Sequence, residues 1–414
     1  MMYKLFLFDK YFQNLPIEVR HMFSIFNAEE IDSIRLVGGC VRDLILSKNI
    51  SDFDFATKFS PDEVKIILDK NEIRNIPTGI KYGTVTALIN NFSFEVTTLR
   101  SDRDNNGRYP LVKFCKSYLD DAKRRDFTIN ALYLDYQGIL YDFFNGIQDI
   151  ESKKVKFIGD PEKRINEDFL RILRFFRFSV FYSKSLDELG SRACILYLKE
   201  IQNLSSDRIR NEWMKMFSCD NDKILLEVLL LLNQENISHL LDINILKIDH
   251  LRYALEVSVA LNLKISNRLK FFILINDPSN DFQKIFIKFN FSNDDKKYYD
   301  FLRSYSEREL SNPDNSRLIE LLLDFKKDYV KDLYFIFAIK NNIENKIFKK
   351  NIEFINSFTA KEFPVNGNDL IAIGYNPNKN FREILDKARR HWIENECSLN
   401  RDEVIKYIKE TLSF

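Results

Sequence analysis

The sequence predicts an α+β chain, with a mixed sheet-and-helix head at its N-terminal end and helices beyond it. Three observations carry this. Short β-branched and aromatic segments, parted by Gly and Asn breaks, crowd the first ~150 residues. A helical stretch with its own cap lies among them. From about residue 160 the strand signal fades, and apolar residues recur every three or four positions. A chain of 414 residues exceeds what one hydrophobic core usually serves, so two to four domains are expected.

The predicted strands run over Ser33–Val37, Ser51–Ala56, Gly83–Ile89, Phe92–Leu99 and Ala131–Asp135. Gly38-Gly39 and Asn90-Asn91 punctuate them. The spacing predicts a helix over Pro61–Lys70, where Pro61 suits the first turn and Ser60 the cap. Later helices are expected at Glu167–Phe181, Asp207–Phe217, Ile224–Leu232, Leu251–Leu261, Ser316–Leu323 and Asn380–Glu394. No internal repeat is visible.

Composition excludes several classes. The 62 Lys+Arg nearly cancel the 61 Asp+Glu, so any basic surface must come from local clustering. The five cysteines are scattered and never form C-x-x-C, which argues against a disulfide framework or a zinc site. The four histidines show no ligand spacing, so His-based catalysis is not expected. The longest apolar stretch, Ile224–Leu232, is interrupted by Glu227 and is too short to cross a bilayer. The YKLFLF patch near the N-terminus lacks a signal-peptide layout. These features predict a cytoplasmic chain with no membrane partner.

The first cluster that points to chemistry is GGCVRD at 38–43, followed by DFDF at 52–55. Alternate residues of an extended segment face the same side. Asp52 and Asp54 therefore project together, and Phe53 and Phe55 turn to a core. Adjacent carboxylates repel unless a cation sits between them. An oxygen-only pair on one face suits Mg²⁺, which keeps some waters and takes phosphate oxygens as further ligands. Two such ions, ~3.5–4 Å apart, activate an attacking hydroxyl and stabilise leaving pyrophosphate. Two acids alone would read as a solvated strand end. The Gly38-Gly39 turn ten residues upstream adds side-chain-free backbone and free N–H groups at a helix start, both suited to phosphate. Arg42 in that first turn supplies a charged fork.

G-G-x-V-R-D followed by D-x-D resembles the first motif of the class II CCA-adding enzyme and bacterial poly(A) polymerase family, within the polymerase β superfamily. The resemblance implies a polymerase-β-type nucleotidyltransferase head with a small, mostly antiparallel sheet, over residues 1–150. An all-α neck (151–215), body (216–330) and tail (331–414) would follow. It implies Asp52 and Asp54 as catalytic metal ligands, Gly39 and Arg42 at the nucleotide, and Glu95 as a candidate third carboxylate. RRDFTINA at 124–131 resembles the second motif, which implies Arg125 at the nucleotide phosphates and Asp126 and Asn130 near the ribose. DFFNGIQDI at 142–150 resembles the third, a hinge, with Asn145-Gly146 where the family usually carries Gly-Gly. Asn tolerates left-handed backbone, so the turn should survive.

EDFLRILRFFRF at 167–178 resembles the family's E-D-x-x-R protein template. On one helix, Asp168, Arg171, Arg174 and Arg177 would lie three apart and share a drifting face. Stacked arginines repel, so a facing anion would account for the stripe; the plain alternative is a solvated charged face. The resemblance implies that Asp168 accepts from the exocyclic amine and Arg171 donates to the ring nitrogen of cytosine or adenine. Uracil and guanine present the opposite pattern there and are rejected. Arg174 and Arg177 would lie toward the triphosphate. LSSDRIRNEW at 204–213 resembles the fifth motif, with Ser205 or Ser206 capping a supporting helix.

Two features favour the CCA-adding branch. IPTGIKYGTVTALI at 76–89 resembles its T-G-x-x-H-G-T-V segment, with Tyr82 in place of His. RSDRDNNGRYPLVKF at 100–114 resembles the flexible loop needed for the final A. The expected activity is addition of C, C and A to tRNA from CTP and ATP. Poly(A) synthesis, CC-only or A-only addition, and a silent RNA binder are the alternatives. Lys346, Lys349, Lys350 and Arg389-Arg390 in the tail read equally as tRNA contacts or solvated charge.

Overall fold

The computed structural model describes residues 4–7, 15–50, 52–102, 112–306, 315–375 and 380–411. Two compact units divide the chain, Met1–Asp242 and Ile243–Phe414.

The first unit opens with β1 (Lys4–Leu7), α1 (Ile17–Glu29), β2 (Ile34–Val37), α2 (Gly39–Ile45) and β3 (Phe53–Thr57). Then come α3 (Pro61–Lys70), β4 (Arg74–Gly79), β5 (Thr84–Ile89) and β6 (Phe92–Thr98). A two-stranded ribbon of β7 (Arg100–Asp102) and β8 (Val112–Phe114) precedes α4 (Tyr118–Lys123). The head closes with β9 (Leu132–Leu134), β10 (Ile139–Asp142) and α5 (Gly146–Glu151). Eight strands form one sheet in the order β1-β10-β9-β2-β3-β6-β5-β4. All its pairings are antiparallel except β3 with β6. The sheet is thus mostly antiparallel, as the sequence resemblance implied.

The period-2 pattern separates the two sheet faces. Phe53 and Phe55 of β3 join Phe94, Val96, Phe23, Phe26 and Leu68 in the larger core, under α1 and α3. Burying each Phe removes enough apolar surface to contribute about 1.5–3 kcal/mol. Ala56 instead belongs to a cluster on the other face, with Leu99, Tyr118 and Tyr133. Asp54, two residues before Ala56, shares that second face.

Local chemistry sets the boundaries. Ser60 and Glu63 form a reciprocal capping box ahead of Pro61, and α3 spans the predicted residues. Asn90 turns the β5–β6 hairpin at φ 52°, and Asn145 precedes α5 at φ 60°, both in left-handed geometry that Asn accepts. Asp142 receives the N–H groups of Gly146 (2.8 Å) and Ile147 (3.0 Å), which pins the start of α5. The β1, β4, β7, β8 and β10 strands were not predicted. The first half of the 100–114 loop motif continues into residues 103–111, which lie outside the described residues.

Beyond the head come α6 (Pro161–Glu167), α7 (Leu170–Tyr182), α8 (Glu188–Leu196), α9 (Ser206–Phe217), α10 (Asp222–Gln234) and α11 (Ile237–Leu240). The continuous helix expected from Glu167 is broken. Asp168 is extended at φ −158°, and its carboxylate accepts the Leu170 N–H at 3.1 Å. A short Asp side chain competes for backbone donors in this way and ends one helix while starting another. Asp168 therefore stands outside the stripe of Arg171, Arg174 and Arg177. Ser205 occupies the cap position of α9, but its side chain makes no capping hydrogen bond.

The second unit, within its described residues, is helical. Its elements are α12 (Ile248–Leu261), α13 (Asn267–Ile275), α14 (Phe282–Lys288), α15 (Asn293–Ser306), α16 (Asn315–Asp324), α17 (Lys327–Lys340), α18 (Asn345–Ser357), α19 (Gly367–Ala372), α20 (Asn380–Glu394) and α21 (Arg401–Thr411). Phe271, Phe286, Phe291 and Tyr299 form an aromatic cluster with centroids 5.1–6.2 Å apart. A separate core gathers around Trp392, with Leu370, Ile384, Val404 and Ile408. Arg389 pairs with Asp324 at 2.8 Å. No helix among the described residues is long and apolar enough to cross a membrane.

Gly146 is closely enclosed by its neighbours. A Cβ there would meet the Thr128 carbonyl oxygen at 2.3 Å and Leu132 Cδ2 at 3.1 Å. Backbone cannot yield as a flexible side chain can. Gly146→Ala should cost about 1–3 kcal/mol, the usual range for overpacking, read as a lower urea midpoint with an unchanged m-value.

Candidate active site

The site is assembled from four segments of the first unit. The β2–α2 turn brings Gly38 at φ +80°, a conformation that only glycine adopts readily. Its N–H donates to Leu132 O at 3.1 Å, which fixes the turn against β9. Arg42 follows one turn later on α2. Strand β3 supplies Asp52, just before its first residue, and Asp54. The 124–131 segment supplies Arg125, Asp126 and Asn130. Helix α7 supplies Arg174, Arg177, Phe178, Phe181 and Tyr182. A cavity of about 280 Å³ is lined by these residues from Gly38 to Tyr182, Asp52 excepted.

The acids come first. The parallel register sets Asp54 opposite Glu95. Burial, then the charges of Glu95 and Asp52, push the Asp54 carboxyl up to about 6, and Arg125 opposes them. Asp54, at the cavity edge, thus senses both neighbouring acids. Among the described residues no three His, Cys, Asp or Glu side chains close into a complete ligand set. The donor set still fits a divalent cation. It is all oxygen, it is electrostatically frustrated without a positive charge, and Mg²⁺-like ions complete their shell with water and phosphate.

Each of the cations lining the cavity is held by protein partners. Arg42 donates through NH1 to Asn130 Oδ1 at 2.6 Å, and through Nε and NH2 to Asp43 at 3.0 and 2.8 Å. Arg125 donates to Asp121 Oδ2 at 3.0 and 3.2 Å and to the Tyr133 hydroxyl at 3.0 Å. Arg174 donates through Nε to Asp126 Oδ2 at 2.7 Å. Arg177 donates to Glu212 at 2.5 Å. Burial disfavours the Asp126 charge, but Arg174 and the Asn130 amide outweigh it and hold that carboxyl at about 2. Four guanidiniums therefore line the cavity against two carboxylates, Asp54 and Asp126. That excess of positive charge in a small concave space suits a polyanion.

The expected facing anion for the arginine stripe is partly replaced by the protein's own acids. Arg171 pairs with Glu167, Arg174 with Asp126 and Arg177 with Glu212. Asp168 and Arg171 do not line the cavity. Asp168 takes both oxygens to Arg208, at 2.7 and 2.8 Å. Arg171 donates to the carbonyls of Arg164 (2.7 Å) and Arg124 (3.0 Å). They lie nearby: Arg124 is adjacent to cavity residue Arg125, and the Asp168 charge favours the protonated form of Arg174 after Asp126 and Glu212 do. Sequence reading missed Glu212, Arg208, Asp121 and Tyr182. The i,i+4 spacing of Asp121 and Arg125 could have revealed that pair; the others join segments distant in sequence.

A model of the poly A polymerase head domain matches residues 34–156, which include every strand of this sheet but β1, and its acids. The CCA tRNA nucleotidyltransferase 1, mitochondrial, of Danio rerio is 31% identical over 389 residues, covering 91% of this chain and 87% of that protein. The chain belongs to the CCA tRNA nucleotidyltransferase family. The Mus musculus family member of the same name is 28% identical over 422 residues, covering 97% of this chain and 92% of its own. The fold follows. The crystal structure of the Bacillus stearothermophilus CCA-adding enzyme in complex with CTP superposes with a TM-score of 0.74 over 97% of both chains, at 22% identity.

With its carboxyl raised, Asp54 would take a cation only in competition with its own proton. Near pH 6 a cation that took Asp54 as a ligand would have to displace that proton. Calorimetric titration with a divalent cation in buffers of different ionisation enthalpy should show proton release at pH 6, none at pH 8, and weaker affinity as pH falls. Equal heats in all buffers at pH 6 would contradict it.

Proposed function

We propose that this chain adds C, C and A to the 3′ end of tRNA from CTP and ATP, releasing diphosphate, with Mg²⁺ held by Asp52 and Asp54. The observation that carries this reading is the cavity itself: the Asp54 carboxylate at its edge and the guanidiniums of Arg42, Arg125, Arg174 and Arg177 around it. Family membership supplies the reaction class.

In this reading the tRNA 3′ hydroxyl oxygen forms a bond to the α-phosphorus, and the bond from that phosphorus to the β-bridging oxygen breaks. When bound, Mg²⁺ supplies the charge that favours the deprotonated hydroxyl and the leaving diphosphate. Asp52 and Asp54 hold that charge at the strand end. The Gly38-Gly39 backbone admits the nucleotide closely, with Gly39 and Arg42 at one side of the triphosphate. Arg125, Arg174 and Arg177 counter the remaining phosphate charge. Asp168 and Arg171 read the base edge, after exchanging Arg208 and Glu167 for the nucleobase. Such exchange of protein partners for a matched base, but not a mismatched one, is a source of selectivity.

The proposal keeps the division into head (1–150), neck (151–215), body (216–330) and tail (331–414), with tRNA phosphates contacted by the last two. It also keeps a cytoplasmic site of action, although the vertebrate relatives are named mitochondrial. Poly(A) synthesis is the second reading, because the matched head model carries that description.

Incubation with tRNA transcripts lacking CCA, lacking A, or complete separates the readings. Addition of C, C and A that then stops supports the proposal; long ATP-dependent tails favour poly(A) synthesis. Asp52→Ala should reduce incorporation by about 100-fold or more while tRNA affinity is retained. Arg171→Ala should lose rate and base choice together, measured as incorporation of CTP against UTP.

A further inference from the structure

Tyr182 is the last residue of α7, and no sequence motif singled it out. It nevertheless lines the cavity. Its hydroxyl donates to Asp43 Oδ1 at 3.1 Å. The same carboxylate grips the Nε and NH2 edge of Arg42. The Arg42 guanidinium carbon stands 4.1 Å from the Tyr182 ring centroid and 5.4 Å from that of Phe178. Lys48 Nζ stands 4.5 Å from the Tyr182 centroid. The hydroxyl stays protonated at working pH: burial pushes it up to about 12, with the Asp43 charge adding to that against Arg42.

These contacts have a geometric consequence. Asp43 and Asn130 use three of the five N–H groups of Arg42. The other two remain for a ligand, and their direction is set by the guanidinium plane. Hydrogen bonds at the rim of that plane resist its tilting less than an aromatic face against it does. Tyr182 supplies that face and also ties down the carboxylate at the rim.

We infer that Tyr182 is a positioning residue for the incoming nucleotide, acting through Arg42: its ring sets the guanidinium plane, and its hydroxyl fixes the Asp43 carboxylate. The inference rests on the nucleotide-transfer reading above. It also links the end of α7 to the Gly38-Gly39 turn, so the helix that carries Arg174 and Arg177 sets the orientation of a cation on another element. Because Arg42 would face the phosphates, the effect is the same for CTP and ATP.

The test is steady-state kinetics on a tRNA lacking CCA with Tyr182→Leu and Tyr182→Phe, each also in an Arg42→Lys background. Loss of a cation–π contact and a charge-assisted hydrogen bond should raise KM for both nucleotides about tenfold in Tyr182→Leu, with kcat changed less than about twofold. Tyr182→Phe keeps the ring, so KM should rise only about threefold, for the lost hydroxyl bond. In the Arg42→Lys background both substitutions should have no further effect. If Tyr182→Leu does not fold, the phenylalanine arm and its background control carry the test alone. A wild-type KM in the variants, a fall in kcat with KM unchanged, or an undiminished effect in the Arg42→Lys background overturns the inference. Inactivity of the wild-type chain on every tRNA end would instead overturn the underlying reading of function.

Discussion

Strand β3 runs parallel to β6, and this pairing sets Asp54 opposite Glu95 with Asp52 two residues upstream. Like charges gathered in this way oppose folding, and the cost shows in the Asp54 carboxyl, raised to about 6 by burial, Glu95 and Asp52. A fold under no other constraint would separate these acids. The sheet cannot, because Phe53 and Phe55 of the same strand are committed to the large core. Moving the acids apart by one residue of register would turn both rings to the opposite face. Core packing thus enforces an electrostatic strain that a cation would relieve.

The surrounding arginines follow from the same constraint. A cavity edged with carboxylates would repel a triphosphate, and four guanidiniums reverse its sign. Each is held by a protein partner: Arg42 by Asn130 and Asp43, Arg125 by Asp121 and Tyr133, Arg174 by Asp126, Arg177 by Glu212. Such pairing limits side-chain freedom before a ligand arrives, so less entropy is lost on binding. It also keeps like charges on α7 apart from one another. Asp168 and Arg171 are likewise held, by Arg208 and Glu167.

What was legible in the sequence divides along physical lines. Local signals were readable. The Ser60 box and Pro61 delimit α3, Asn90 and Asn145 take their left-handed turns, and the alternation of Phe53, Asp54 and Phe55 separates core from site. The pairing of strands distant in sequence was not. Nothing in FEVTTLR alone says that Glu95 lies beside Asp54 in parallel register. The helical spacing of Asp168, Arg171, Arg174 and Arg177 suggested one continuous face. It failed at its first member, because Asp168 is extended and its carboxylate accepts the Leu170 N–H ahead of the helix. The partners Glu212, Arg208 and Tyr182 join segments up to 139 residues apart, and no local periodicity encodes such contacts.

The central question is whether the acid edge and the arginine wall form one site for a cation and a triphosphate. Crystals grown with Mn²⁺ and a non-hydrolysable CTP analogue, measured at the manganese absorption edge, test this most directly. The account predicts an anomalous peak bridging Asp52 and Asp54, with the phosphates running from it toward Arg42 and Arg174. Manganese elsewhere, or a triphosphate bound away from that wall, would contradict it.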